Sequence, residues 1–209
     1  MIKKYLSLTV FGLATLAPAA FATTVLNPGT GTQTPDTLTM GSATLLNSTS
    51  GTLTAPTISG NFTESVYADQ SNVFCAGCLD FVITLDDTSG TIERISSSSF
   101  AGFNVDAGYA SGLGSTPSNL QRSDDGSVVA FGFGGSGANL TSGDTTNQLI
   151  VETDATSFTS GYLSIQDGTS TSAVAFAPTA APEPMSMSLL GGGLMGLGLL
   201  RLRRRSAKK

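Results

Sequence analysis

Cys75 and Cys78 are the two cysteines of this 209-residue chain, and their Cys-x-x-Cys spacing admits a metal site, a dithiol redox centre or a disulfide. A zinc site needs two further ligands at suitable spacing, and the chain holds no other Cys and no His to supply them. A thioredoxin-like pair sits where a strand gives way to a helix, whose N-terminus lowers one thiol pKa. Here the apolar run 79–85 follows the pair directly and reads as a strand. The expectation is a structural disulfide between Cys75 and Cys78, closing a tight loop in an oxidising compartment.

The absence of His also removes the commonest general base and the Ser-His-Asp and Cys-His nucleophile pairings. What remains is carboxylate chemistry. Asp86, Asp87, Asp124, Asp125, Asp144 and Asp167 lie among Gly, Ser and Thr, where oxygen ligands for calcium could converge. Neither an EF-hand loop nor a nonapeptide repeat is present, so solvated turns are expected, with no metal and no other cofactor. Glycoside hydrolysis needs two acids facing each other across a cleft, and nothing in the sequence singles out such a pair. No catalytic residue is assigned, and a non-enzymatic protein is expected.

The charges are segregated along the chain. Between the two termini only Arg94 and Arg122 stand against 14 acids, a net charge of −12 for residues 23–181. A nucleic-acid partner is excluded for such a segment, which cannot neutralise phosphate.

That segment must supply whatever scaffold positions these groups. It is rich in Ser, Thr and Gly and long enough for one domain with a real core. Short apolar stretches recur at 38–46, 53–58, 63–67, 79–85, 91–96, 127–133, 148–152, 162–165 and 173–176, and none carries a helix-long apolar stripe. Asp86-Asp87-Thr88-Ser89-Gly90, Asp124-Asp125-Gly126 and Gln166-Asp167-Gly168-Thr169 separate them and have turn chemistry. The fold class expected is all-β, a single β-sandwich or jelly-roll domain over residues 37–177. A flexible leader at 23–36, loosest at 27–35, and a linker at 178–184 flank it. Within 73–109, Phe74, Phe81, Ile83, Ile92, Phe100 and Phe103 are assigned to the core.

Both termini read as addresses. Residues 1–22 combine Lys3 and Lys4, an apolar run and Ala20-Phe21-Ala22, the small-x-small pattern of a signal peptidase site. A signal-peptide helix cleaved after Ala22 is expected. At the other end Pro182-Glu183-Pro184 precedes the 16 uncharged residues 185–200 and then Arg201, Arg203, Arg204 and Arg205. As a helix those 16 residues reach about 24 Å, short of the roughly 30 Å hydrocarbon core, so the span needs Leu202 and the arginine stems to cross. The expectation is a short transmembrane helix at 185–202 and a basic cytoplasmic stop-transfer tail at 203–209.

The order Pro-Glu-Pro, short Leu/Gly-rich span and terminal Arg cluster resembles the PEP-CTERM sorting signal of Gram-negative bacteria, a tail also catalogued as an ice-binding-protein C-terminal domain. The resemblance covers 182–209. It implies export through the inner membrane, transient membrane anchoring, recognition by the membrane enzyme exosortase, and delivery to the cell surface or an exopolysaccharide or biofilm matrix. The function expected is a surface-directed structural or adhesive protein. The alternative is a secreted carbohydrate-active or calcium-dependent binding protein that uses the tail only for delivery.

Overall fold

The structure, a computed structural model, describes residues 25–112, 114–134 and 139–180. The signal peptide with Ala20 and Ala22, the Pro182-Glu183-Pro184 motif, the span and the arginine cluster lie outside the described residues.

The described residues are all-β. The strands are β1 (Asp36–Thr37), β2 (Ala43–Thr54), β3 (Ser59–Asp69), β4 (Cys78–Ser89), β5 (Thr91–Ile92), β6 (Arg94–Ser98), β7 (Val105–Ala110), β8 (Asn119–Arg122), β9 (Val128–Gly132), β10 (Leu140–Thr141), β11 (Gln148–Thr153), β12 (Ser157–Asp167) and β13 (Thr169–Thr179). They form a six-stranded sheet in the order β1-β7-β11-β4-β3-β2 and a five-stranded sheet in the order β13-β12-β6-β9-β8, with β5 and β10 as a short extra pair. All neighbours run antiparallel except β1 and β7.

Period-two alternation turns one face of each sheet inward. Leu79, Phe81, Ile83 and Leu85 of β4 meet Ile95, Val129, Phe131, Leu163 and Ile165 of the second sheet in a single apolar core, so the two sheets form a sandwich-like pair. Phe81 and Phe100 touch edge to face with ring centroids 5.5 Å apart. Of the other residues assigned to the core, Ile83 and Ile92 are fully buried, Phe103 packs against the core from its margin, and Phe74 stays outside it.

Several boundaries differ from the sequence reading. The run 53–58 is not one strand: β2 ends at Thr54, the Ala55 N–H donates to the Ile58 carbonyl, and β3 begins after Pro56-Thr57-Ile58. Asp86 and Asp87 are not turn residues but extend β4. The break between β4 and β5 falls at Gly90 alone, where φ is 85° and an added Cβ would lie 2.2 Å from the Thr57 carbonyl oxygen, so no other residue fits there. Strands β7 and β8 were missed, because Asp106 and Gly108 interrupt the apolar alternation of one and the other is only four residues long.

Residues 27–35, expected as a loose leader, are held to the domain. The Leu26 N–H donates to Val105 O at 2.7 Å, Gly29 N to Ser123 O at 2.9 Å, and Gln33 exchanges both backbone bonds with Leu120. Leu26 is itself a core residue. The Arg122 guanidinium fastens this segment further: it donates to the carbonyls of Leu26 (2.8 Å), Gly126 (3.1 Å), Phe100 (3.1 Å) and Phe103 (2.8 Å). One of the domain's two cations therefore has a purely architectural task, tying three backbone segments together through four carbonyls.

Candidate functional site

The most unusual chemistry among the described residues is a set of buried carboxyl groups. Strand register lines up Asp106 of β7, Glu152 of β11 and Asp80 of β4 as direct cross-strand neighbours. Their parity is opposite to that of Val105, Val151 and Phe81, so they stand on the face of the six-stranded sheet turned away from the core. Asp80 is nonetheless 0% exposed, Glu152 3% and Asp106 4%.

The loop between β3 and β4 covers them. Asn72 Nδ2 donates to Asp80 Oδ1 at 2.7 Å and to Thr153 O at 3.2 Å, while its Oδ1 accepts from the backbone of Phe74 and Cys75. The backbone of Val73 reaches Glu152. Cys75 and Cys78 form the expected disulfide, with Cα atoms 5.3 Å apart, and the second sulfur leads straight into β4. The bond closes the loop that roofs the acids.

The acids respond to this enclosure. Burial pushes Asp80 up to about 8, with Glu152 and Asp69 adding repulsion, and burial with the nearby Asp106 pushes Glu152 up to about 7. Asp69, next to Asp80, is opposed by its own burial. Hydrogen bonds from the Ser71 backbone and hydroxyl, and from Asp80, hold it below the usual carboxylate range. Among the described residues Asp80 Oδ2 and Glu152 Oε2 have no hydrogen-bond partner. Among the described residues no group of three acids or cysteines has the geometry to hold a metal ion. The arrangement stores protons near neutral pH.

A second buried acid faces the other way. Glu64 shares the inward parity of Phe62 and Val66, and burial raises it to about 7 although the Phe176 N–H bonded to it works in the opposite sense. Sequence reasoning missed Asp80, Glu152, Asp69, Asp106 and Glu64. For Glu64 a signal existed, since Phe62-x-Glu64-x-Val66 places it on the apolar phase of the strand. For the other four no local signal could show that a loop lies over a face whose alternation reads as solvated.

The six acids weighed for calcium do not converge. Asp125 is held down to about 2 by Ser123 and Ser127 hydroxyl and backbone donors, and Asp144 is lowered by the backbone and hydroxyl of Thr141, as self-capped turns require. Asp87 is buried and pushed up to about 6 by that burial, with Asp144 adding to it. It corrects the expectation of a solvated turn.

No protein-family model, no curated protein and no solved structure matches this chain.

Proposed function

We propose that this chain is an exported, surface-directed structural or adhesive protein, delivered by a PEP-CTERM tail that an exosortase processes, and that it works in the exopolysaccharide or biofilm matrix of a Gram-negative bacterium. The observation that carries the reading is where the fold ends. Strand β13 closes its pairing at Thr179 with Ser157, and Ala180 is exposed two residues before Pro182. Among the described residues the last strand and its core contacts end by Thr179, which supports a tail that could be removed without cutting a described strand, and Pro182 and Pro184 lack the N–H that a continued strand would need. The Cys75–Cys78 bond suits an oxidising, extracytoplasmic setting.

The experiment is deletion of residues 182–209 together with mass spectrometry of the mature protein from native cells. The deletion should leave the melting temperature unchanged, and the native product should begin at Thr23 and lack the arginine cluster. A stable surface form still ending at Lys209 would leave a plain membrane anchor in place of a sorting signal.

A further inference from the structure

Arg94 and Arg122 are the only basic residues among the described ones, and Arg122 is consumed by four carbonyls. Arg94 is the cation left over. Among the described residues its guanidinium has no hydrogen-bond or ion-pair partner, in a domain with 14 acids.

Its position is specific. It lies opposite Gln166 of β12 and Gly132 of β9, on the face of the five-stranded sheet turned away from the core. The next row of that face is Ser164, Ser96, Ala130 and Gln121, each the cross-strand partner of the one before. The small side chains of Ser164, Ser96 and Ala130 leave a flat floor, and Arg94, Ser96, Gln121 and Ala130 line a groove of about 300 Å3 that Asp124 also lines. One row further, Tyr162 is 57% exposed opposite Val174, and its backbone N–H donates to Ser98 Oγ. Tyr162 and Arg94 stand four residues apart in register, about 13 Å along the strands.

We infer that this face binds a carboxylate-bearing polysaccharide, with a sugar ring on Tyr162, hydroxyls on Ser96, Ser164 and Gln166, and a uronate carboxylate on Arg94. The argument is charge complementarity joined to shape. The guanidinium pairs two-pronged with a planar carboxylate, an exposed ring offers an apolar face to a sugar, and a flat floor of hydroxyls and amides suits an extended hydroxyl-rich chain. Asp124 lines the same groove, and Glu93 and Asp167 adjoin Arg94 and its partner Gln166 in the chain, so the carboxylate must be held by Arg94 against their repulsion, which is screened over about 8 Å at physiological salt. The inference rests on the matrix reading above and names the surface that would serve it.

The test is calorimetric titration of the full-length protein with a hexameric oligouronate, a neutral dextran oligomer and inorganic sulfate. The oligouronate should bind most tightly, with an affinity that falls as salt is raised. Arg94→Gln should weaken it at least tenfold and leave dextran unaffected, Tyr162→Ala should weaken both sugars, and Ser96→Tyr should block both by filling the floor. Unchanged melting temperatures in all three variants keep the result about the face and not about folding. No binding of either sugar, equal binding by Arg94→Gln, or sulfate displacing the oligouronate mole for mole would overturn the inference. Processing of the tail in cells is read separately and is untouched by that outcome.

Discussion

Glu64 and Phe176 join the two sheets: the Glu64 carboxylate, rooted in β3, accepts the backbone N–H of Phe176 on the edge strand β13 at 2.6 Å. The other Glu64 oxygen, Oε1, is buried without a partner among the described residues. A core position that could have been apolar is therefore given to an acid that caps one donor of a sheet edge and leaves its own second oxygen unsatisfied.

Stability should fall as pH rises. Folding raises Glu64 and Glu152 from 4.5 to about 7, Asp87 from 3.8 to about 6 and Asp80 from 3.8 to about 8. A raised carboxyl pKa means that the native state binds protons more tightly than the unfolded chain. The contribution is complete below the unfolded values and disappears as pH climbs through the folded ones. Thermal melts should give a higher melting temperature at pH 5 than at pH 8.5. Below about pH 4 the trend should reverse as Asp125, Asp144 and Asp69, all lowered, take up protons. A flat profile from 5 to 8.5 contradicts the buried-acid account.

Glu64→Gln keeps an oxygen for the Phe176 N–H and removes the titration. It should flatten the Glu64 share of the pH slope and be neutral to stabilising at pH 8.5. Glu64→Ala strands the Phe176 donor and opens a cavity, and should cost about 2–4 kcal/mol at pH 5 in denaturant titration.

Arg122→Ala should cost about 3–5 kcal/mol, because four buried carbonyls lose a charged donor at once. Arg122→Lys should recover only part of this, since an ammonium cannot reach four diverging acceptors. Hydrogen exchange should rise first at residues 26–33, the segment that Arg122 and Leu120 hold.

Replacing Cys75 and Cys78 with Ser should lower stability by about 2 kcal/mol, the chain-entropy value for so short a loop. Exchange protection should fall selectively at 70–77, and Asp80 and Glu152 should titrate closer to their ordinary range once the roof loosens. Untreated native protein should resist thiol labelling, and ready labelling of both sulfurs would falsify the bond.

Where one strand carries its own alternation, the sequence is a faithful guide. Strands β4 and β11 are legible because Leu79 to Leu85 and Gln148 to Glu152 alternate or run apolar between turn residues, whereas the run 91–96, read as one strand, divides into β5 and β6 at Glu93. The leader was misread because its anchors are long-range. Leu26 looks like the start of a polar stretch until Val105 and Arg122 arrive from distant parts of the chain. Asp80 shows the same limit, since it occupies an outward phase and only the folded position of Asn72 and Val73 removes it from water.

Were the chain tethered at its C-terminal end, strand β13 would be the element through which load enters. A domain held by its C-terminal end transmits tension into Thr179, where the β12–β13 hairpin is open and its first rung is the pair with Ser157. Force directed across the strand would break those rungs one at a time toward Gly168, and force along it would stretch all of them together. Three residues in from the loaded end lies the Phe176 N–H held by Glu64, a fastening that belongs to the opposite sheet and must give way before the hairpin can be drawn off. In a chain tethered at its C-terminal end, this one carboxyl group would be the first cross-sheet link to carry the load.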